Sequence, residues 1–253
     1  MKKMKQKEML IDGDILIYKI ALQSERPVKW DDNMWTLHAF EDEAVANVDD
    51  GIKRIQRKLG VKPYRVALTS SKNFRKDVLP SYKSNRVGVR KPMILPALRQ
   101  HMLDNHDAII IEGLEADDVL GILATEKSNK KDSIIVSVDK DFKQIPTKIC
   151  LDGETVQIVT EDMANHWFMI QVLMGDATDG YTGLPGCGIK TAEKILGPEM
   201  RPLDELWDIV VEAYAKKGYT EKEALQQARV AKILRAEDYN EDKGEVKLWQ
   251  IKR

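Results

Sequence analysis

The chain of 253 residues has only two cysteines, Cys150 and Cys187. Two cysteines this far apart exclude a disulfide framework and indicate a reducing, cytoplasmic compartment. Long apolar runs are also missing. The basic start leads into an apolar run of about four residues, which is too short for a signal peptide or a membrane span. The sequence therefore predicts a soluble intracellular protein without membrane contact.

The sequence also lacks the patterns of several common enzymes. Its four histidines and two cysteines are not spaced as zinc ligands are, which disfavours a zinc enzyme. The histidines are His38, His101, His106 and His166. No nucleophilic side chain lies beside a base at motif spacing, so water is the expected nucleophile of any hydrolysis. The formal net charge of −1 indicates no particular class of partner.

Strand and helix patterns alternate over the first two thirds of the chain. Short apolar runs predict strands at residues 7–11, 65–68, 108–111 and 133–138. Apolar residues spaced by three and four predict helices at residues 15–22, 40–59 and 114–126, the second of them ended by Gly60. This order is typical of an α/β fold with a parallel, doubly wound sheet.

The pattern changes near residue 160. Asp152 and Gly153 lie between two β-prone runs at residues 148–160, which predicts a hairpin and an antiparallel edge of the sheet. Helical patterns follow to the end of the chain, including a charged tail from residue 201. We therefore expect an α/β catalytic domain at residues 1–160 and a helical region at residues 161–253.

Acidic residues are concentrated in three short segments, two of which directly follow predicted buried strands. They are Glu115, Asp117 and Asp118, then Asp139 and Asp141, then Asp176 and Asp179. Asp12 joins them, because it ends the first predicted strand and the carboxyl ends of parallel strands meet at one edge. Each like-charged pair about 4 Å apart costs roughly 4 kcal/mol at an effective dielectric near 20, so the set requires a cation.

Capping alone could explain a single acid at a helix start. Three acids among four residues exceed what a cap needs, whereas Asp14 is expected to be a helix N-cap and Glu112 a surface residue. Carboxylate oxygens are the ligands of hard divalent cations, and more than four of them suggest two ions. Two ions about 4 Å apart can stabilise an in-line displacement at phosphorus, which indicates phosphodiester hydrolysis.

Residues 71–99 form a basic segment with a single acid, Asp77. Its basic residues are Lys72, Arg75, Lys76, Lys83, Arg86, Arg90, Lys91 and Arg99. Three prolines interrupt it, so we expect a mobile loop or an irregular arch over the sheet edge, at about residues 71–100.

A glycine-rich segment lies at residues 183–191. It is not a P-loop, because Ile189 separates Gly188 from Lys190, and it lacks the third glycine of a dinucleotide fingerprint. It is better interpreted as a tight hairpin between helices at residues 161–174 and 190–196, whose backbone N–H groups hold a phosphate without reading bases. Lys190 and Lys194 lie one turn apart and can reinforce that contact.

These motifs together resemble the structure-specific 5′ nucleases, the flap endonuclease and 5′-3′ exonuclease superfamily, and most nearly its phage members. The resemblance covers residues 9–196. Beyond the acids, it matches Tyr82-Lys83-Ser84-Asn85-Arg86 to a Tyr-Lys-x-x-Arg element. One departure is Thr69-Ser70, where members commonly have an Asp. A missing metal ligand, or a hydroxyl that holds a water, is expected there.

The resemblance implies a fold, a site and ligands. The fold is a resolvase-like, PIN-like α/β sheet followed by a helix-three-turn-helix motif at about residues 161–196, within a DNA-binding region at 161–253. Mg²⁺ or Mn²⁺, as two ions, is implied at the acids Asp12, Glu115, Asp117, Asp118, Asp139, Asp141, Asp176 and Asp179. Implied catalytic residues are Tyr82, Lys83 and Arg86, the last two on the scissile phosphate. A K⁺ ion is implied at the glycine hairpin.

Nucleic acid is then expected to contact the basic segment and the hairpin. The residues concerned are Lys72, Arg75, Lys76, Arg90, Lys91, Gly183, Gly186, Gly188, Lys190, Thr191 and Lys194. The expected function is that of a monomeric 5′-3′ exonuclease or flap endonuclease acting on DNA with a 5′ end, which could also remove RNA from RNA–DNA hybrids. Two alternatives remain open: a PIN-type ribonuclease, and a nucleic-acid-binding protein without nuclease activity. A phage-encoded member would act in the cytoplasm of the infected host.

Overall fold

The computed structural model describes residues 7–127 and 132–251, so the ends of the predicted domains at residues 1 and 253 lie outside it. The strands in chain order are β1 (Glu8–Asp12), β2 (Arg26–Lys29), β3 (Trp35–His38), β4 (Tyr64–Ala67), β5 (Ser133–Val136), β6 (Lys148–Cys150), β7 (Gln157–Ile158), β8 (Tyr239–Asn240) and β9 (Glu245–Val246). The main sheet has the order β4-β1-β5-β6-β7. Its first four strands are parallel and β7 is antiparallel, which confirms the predicted α/β sheet and its antiparallel edge.

Helices cover both faces of this sheet. In chain order they are α1 (Gly13–Ser24), α2 (Glu41–Leu59), α3 (Arg75–Val78), α4 (Leu95–His106), α5 (Ala116–Thr125), α6 (Glu161–Met174), α7 (Ile189–Leu196), α8 (Leu203–Lys216) and α9 (Glu221–Ala231). Alternate residues of β1 point to opposite layers, as strand geometry requires. Met9 and Ile11 pack with α1, α2 and α4, whereas Leu10 packs with α5.

A third core lies among α6, α7, α8 and α9. Trp207 and Tyr214 are almost fully buried there, together with Tyr82 from the basic segment. Helix α6 also contributes Ala164 to the core shared with α5. The helical region predicted after residue 160 is therefore present, and the division into two domains at that point stays a prediction.

One predicted strand is absent, and the basic segment is partly helical. Residues 108–111 do not form a strand: a single parallel bridge joins Ile109 to Ala67, because the chain turns away after Ile109 to reach α5. Residues 71–100 contain α3, a 3₁₀ turn at Ser84–Arg86 and the start of α4, and the irregular arch over the sheet edge stays a prediction. Burial of Arg75 and Tyr82 fixes the first half of this segment against the protein.

Two hairpins were not predicted. Strands β2 and β3 pair as an antiparallel hairpin that leaves Trp30 and Trp35 exposed. Strands β8 and β9 form a second, short hairpin in the tail that was predicted to be helical. Among the described residues, no helix combines the length and the apolar character needed to cross a bilayer.

Candidate active site

The predicted acids converge at the carboxyl edge of the sheet. Strands β4, β1 and β5 are parallel neighbours, so the end of β1 at Asp12 lies beside Ala67 of β4, and Asp139 follows β5 by three residues. Electrostatic repulsion acts among these carboxylates and those at the start of α5 and after α6. We call this group the acid cluster; its members are Asp12, Glu115, Asp117, Asp139, Asp141, Asp176 and Asp179.

Asp12 is buried at the end of β1, where both of its oxygens are bound. Oδ1 accepts a hydrogen bond from the Ile15 N–H at 3.1 Å, so Asp12 caps α1, and Oδ2 accepts one from the Ser137 hydroxyl at 2.8 Å. Burial raises the pKa of Asp12 to about 7 in spite of these bonds, and the charges of Asp14 and Asp139 add to that rise. The N-cap is thus Asp12, and not Asp14 as predicted.

Asp117 carries the least compensated charge of the acid cluster. No donor in residues 7–127 and 132–251 forms a hydrogen bond to its carboxylate. Its pKa is raised well above the ordinary value by burial first, and then by the charges of Asp12, Asp139 and Glu115. A cation is the simplest partner for a carboxylate in such a place.

Asp139 and Asp141 lie on one turn after β5. Asp139 accepts a hydrogen bond from the Asp141 N–H at 2.8 Å, which orients the first carboxylate. Oδ1 of Asp141 is buried and forms no well-aligned hydrogen bond among the described residues, although the nearby Gln171 side chain partly lowers the pKa of this acid. Burial, followed by the charges of Asp139 and Asp176, raises the pKa of Asp141 to about 7. An acceptor left unsatisfied in this way fits a metal ligand.

Asp176 and Asp179 lie in the turn that leaves α6. Asp176 accepts hydrogen bonds from the backbone N–H groups of Thr178 and Asp179 at 2.6 and 3.3 Å. Asp179 accepts from Arg86 at 2.6 Å and from the Tyr82 hydroxyl at 2.9 Å. The two acids therefore face the Tyr82 to Arg86 segment on one side and Asp139 and Asp141 on the other.

Glu115 differs from the other acids because cations surround it. It forms ion pairs with Lys83 and, at 3.3 Å, with Arg75, and it accepts a hydrogen bond from the Tyr82 hydroxyl at 2.8 Å. Burial works against its charge, but Arg75 and Lys83 outweigh burial and lower the pKa of Glu115 to about 2. Glu115 is therefore ionised throughout the neutral range.

Lys83 lies between Glu115 and Asp179. Its backbone is left-handed, with a φ of 54°, and its N–H donates to the Asp179 carbonyl at 2.7 Å. This conformation directs the ammonium to the Glu115 carboxylate and within 3.4 Å of Asp179. Burial opposes the charge of Lys83, but the two acids raise its pKa above the ordinary value. Lys83 thus joins Arg75 and Arg86 as a cation paired with Glu115 or Asp179.

The structure contradicts two predicted roles. Asp118 is fully buried, and Arg75 donates to both of its oxygens at 2.6 and 2.8 Å, so no oxygen is left for a metal. Arg75 is only 3% exposed and cannot reach a nucleic acid. The i, i+3 spacing of Glu115 and Asp118 correctly predicted that both lie near one face of α5. The carboxylate of Asp118, however, is bound by the buried Arg75 of α3.

Thr69 and Ser70 occupy the place where the resemblance implies an acid. The Thr69 hydroxyl accepts a hydrogen bond from the Ala116 N–H at 3.0 Å, and the Ser70 hydroxyl donates to Glu112 at 3.0 Å. Asp14 accepts from the Thr69 N–H at 2.8 Å and forms an ion pair with Arg99 at 3.3 Å. These hydroxyls therefore fix the start of α5 instead of facing the acid cluster, and exposed Glu112 lies at the surface as predicted.

Comparison with known proteins agrees with this geometry. The family described as 5′-3′ exonuclease, N-terminal resolvase-like domain, matches residues 7–169. The exodeoxyribonuclease of Enterobacteria phage T3 is 32% identical and the alignment covers 95% of this chain and 92% of that protein. The exonuclease of Escherichia phage T7 is also 32% identical, with coverages of 96% and 93%.

The chain belongs to the 5′-3′ exonuclease family. It is a 5′ nuclease of the phage type, an enzyme of the exonuclease and flap endonuclease group. The 5′-exonuclease of phage T5, whose structure was determined with bound zinc ions, has the same fold: the TM-score is 0.59 at 16% identity, over 89% of both chains.

The exonuclease presents its remaining predicted basic residues at the surface. Lys72 forms an ion pair with Glu112 at 3.1 Å and is 78% exposed in its side chain, while Lys76 and Lys91 are exposed. Arg90 donates to both oxygens of Glu25 at 2.6 and 2.7 Å, which lowers the pKa of that glutamate to about 2. These four side chains remain accessible to a polyanion.

The glycine hairpin of the exonuclease joins α6 to α7 as predicted. Gly183 has a φ of 58°, and a Cβ there would lie 2.3 Å from the Gly175 N, so only glycine fits. Its N–H donates to Gln227 of α9 at 2.9 Å, which anchors the hairpin. Gly186 and Gly188 are exposed, the latter at the N-terminus of α7, and so are Lys190, Thr191 and Lys194.

Two residues that support the site were not identified from the sequence. Ser137 donates to Asp12 and accepts from the Asp139 N–H at 3.0 Å, so it links two acids of the cluster. A serine two residues before an acid at a strand end is a weak signal that could have indicated it. Gln227 follows the hairpin by about 40 residues, and nothing in the spacing points to their contact.

Proposed function

We propose that this exonuclease hydrolyses phosphodiester bonds at 5′ ends of DNA, as a 5′-3′ exonuclease and flap endonuclease, with two divalent ions held by the acid cluster. The observation that carries the proposal is a surplus of buried carboxylate charge. Burial and mutual repulsion raise the pKa of Asp12, Asp117, Asp139 and Asp141. The cations Arg75, Lys83 and Arg86 form their ion pairs with Glu115 and Asp179 instead.

The residues of the acid cluster fit hydrated Mg²⁺ or Mn²⁺. Among the described residues, no three of these carboxylates bring ligand atoms within 4.8 Å of one another. That spacing leaves room for water, and Mg²⁺ keeps several waters while taking one or two carboxylates directly. The donors available to it are Asp117 and the unpaired Oδ1 of Asp141 first, and then Asp12, Asp139, Asp176 and Asp179. When bound, such ions supply charge stabilisation to the attacking and leaving oxygens.

Three residues of the basic segment act on the phosphate or on its surroundings. The Lys83 ammonium and the Arg86 guanidinium lie against Asp179, at the mouth of the cluster, where they can contact a phosphate oxygen. The Tyr82 hydroxyl is buried between carboxylate oxygens of Glu115 and Asp179, at 2.8 and 2.9 Å, and its single proton is shared between them. Tyr82 is therefore a positioning residue that fixes two acids, and Lys83 and Arg86 are the proposed catalytic cations.

The glycine hairpin binds the DNA duplex through the phosphate backbone of the DNA. Lys190, Thr191 and Lys194 are exposed at the start of α7, where a helix N-terminus and cations favour a phosphate. Lys72, Lys76, Arg90 and Lys91 extend this contact to the unpaired 5′ strand. The Lys217 ammonium donates to the Pro185 carbonyl at 2.5 Å, so a K⁺ ion in the hairpin would be held by the other backbone carbonyls.

Further features of the proposal concern the state and place of the enzyme. It acts as a monomer, and it accepts RNA–DNA hybrids as well as DNA duplexes. The two cysteines are free and buried, which supports action in a reducing cytoplasm, that of an infected host for a phage protein.

A panel of 5′-labelled substrates with Mg²⁺ tests the proposal. It contains a 5′ flap, a blunt duplex, an RNA–DNA hybrid and single-stranded RNA. We expect cleavage of the flap and of the duplex, with release of short 5′ products. Rapid cleavage of single-stranded RNA with no duplex requirement would favour the ribonuclease alternative, and binding without any product would favour the alternative without nuclease activity.

A further inference from the structure

A second group of ligand-type side chains lies outside the acid cluster. Asp49 of α2 and His101 and His106 of α4 bring one ligand atom each within 4.8 Å of the others, the only such group among the described residues. Nε2 of His101 and Nε2 of His106 lie 2.8 and 2.9 Å from Oδ1 of Asp49. The two nitrogens are 3.3 Å apart.

These separations are close to those of a zinc coordination shell. With zinc to ligand distances near 2.0 Å, the ligands of a tetrahedral ion lie about 3.3 Å from one another. The pair of histidine nitrogens already has that spacing, and Oδ1 of Asp49 must withdraw by about 0.5 Å. A change of that size is within the reach of an aspartate rotamer, since the Asp49 side chain is 35% exposed.

The outer nitrogens of both histidines also have partners. Nδ1 of His106 lies 2.9 Å from the Tyr64 hydroxyl, and Nδ1 of His101 lies 3.1 Å from the amide nitrogen Nδ2 of Asn105. Metal-binding histidines generally donate the N–H of the second nitrogen, which fixes the ring. With zinc on Nε2, the Tyr64 hydroxyl can accept from His106, whereas the Asn105 amide must turn its oxygen towards the N–H of His101. The two histidine side chains are 12% and 9% exposed, so the rings are held in a protected place.

We propose that Asp49, His101 and His106 bind a zinc ion with a water as the fourth ligand. Two imidazoles and one carboxylate suit zinc better than Mg²⁺, which prefers oxygen ligands. The ion joins α2 to α4 and stabilises their packing over the sheet. The competing account is a metal-free network in which both Nε2–H groups donate to Asp49.

The zinc site is separate from the nuclease site. Tyr64 is the first residue of β4, whereas Ala67 at the other end lies beside Asp12. Three residue steps along a strand cover about 10 Å, so the site is near the opposite edge of the sheet from the acid cluster. Zinc bound here can be measured while Mg²⁺ in excess occupies the cluster.

Zinc stoichiometry of the full chain tests the proposal. Protein stripped with chelator is dialysed against low zinc with excess Mg²⁺, and bound zinc is counted by mass spectrometry. Wild type and the control His38→Gln, whose histidine lies in β3, are expected to retain one zinc equivalent that Asp49→Asn and His101→Gln lose. Tyr64→Phe, which removes the partner of His106, should weaken zinc binding by about tenfold. Equal zinc in all five proteins overturns the proposal.

Two further measurements use only the wild type, so they do not depend on whether the variants fold. At free zinc of about 100 times Kd, the Tm is expected to rise by at least about 5 °C in the presence of excess Mg²⁺. X-ray absorption of the zinc-loaded protein should show imidazole scattering, which the oxygen ligands of the acid cluster cannot give. An oxygen-only shell, or an unchanged Tm, contradicts the site.

Discussion

Arg75 donates two hydrogen bonds, of 2.6 and 2.8 Å, to the two carboxylate oxygens of Asp118. It also donates to the carbonyls of Val230 and Lys232 at 2.8 and 2.6 Å. One buried guanidinium therefore connects α3, the start of α5 and the C-terminal end of α9. It supports the helix start that carries Glu115 and Asp117, and it also forms an ion pair with the Glu115 carboxylate at 3.3 Å.

Removal of this guanidinium should destabilise the fold. Arg75→Met leaves Asp118 buried and unpaired, which costs about 3–5 kcal/mol in the free energy of unfolding. Urea unfolding measures the effect. The adjacent Lys76→Met, at an exposed position, should change the free energy by less than about 0.5 kcal/mol. If the two variants were equally stable, the Arg75–Asp118 pair would not have the structural role assigned to it.

The stability of the metal-free enzyme should fall between about pH 4 and pH 7. The folded-state pKa values of Asp12 and Asp141 are raised to about 7, so the folded form holds protons that the unfolded form has lost. The contribution of these two acids to the free energy of unfolding is therefore largest at low pH and is lost as pH rises through that window. Glu115 has a pKa lowered to about 2 in the folded state. Its contribution to the free energy of unfolding is present at neutral pH and is lost only as pH falls below about 4.5.

Thermal melts at several pH values, with chelator and with Mg²⁺, measure this effect. Asp141→Asn should flatten the decline without metal, and saturating Mg²⁺ should raise the Tm of the wild type most at neutral pH, where protons no longer compete. A Tm that is indifferent to both pH and Mg²⁺ would show that the carboxylates do not form a charged cluster.

Lys83 should matter more for chemistry than for binding. Its ammonium contacts Glu115 and lies 3.4 Å from Asp179. Loss of one preorganised cation at a reacting phosphate typically slows the step by about 100-fold. Single-turnover cleavage by Lys83→Ala measures this, with Lys72→Ala as a control for a more distant basic residue. Unchanged single-turnover rates in Lys83→Ala would remove this residue from the mechanism.

Lys190 and Lys194 should contribute to DNA affinity without sequence preference. Each contacts a phosphate in the proposal, so each alanine variant should weaken duplex binding and reduce the slope of log K against log salt by about 1. Lys53→Ala in α2 is a suitable control, since that lysine is 64% exposed and lies in a different region. Equal salt slopes for the control and for Lys190→Ala would place the duplex elsewhere.

Much of the fold followed from local patterns in the sequence. β1 was predictable because its alternate residues enter two cores, and α2 because its apolar residues recur at helical spacing and Gly60 ends it with a φ of 64°. The convergence of Asp12 and Asp139 followed from the parallel sheet alone. These features depend on the spacing of residues that are close together in the chain, which can be read directly from the sequence.

Contacts between distant segments could not be predicted in this way. Asp118 was assigned to metal because its partner Arg75 lies 43 residues earlier, in a segment interpreted as an exposed arch. His101 and His106 are five apart, a spacing that does not suggest a shared ligand site, and Asp49 joins them only through the packing of α2 on α4. Ile109 forms a single bridge to Ala67 where a strand was expected, since the chain turns towards α5.

The central claim is that the acid cluster performs metal-dependent hydrolysis of DNA. Single-turnover cleavage of a 5′-labelled duplex by Asp139→Asn in Mg²⁺, with duplex binding measured in Ca²⁺, tests it most directly. The account predicts that cleavage is lost while binding stays close to that of the wild type. Cleavage at the wild-type rate by a correctly folded Asp139→Asn protein would contradict it.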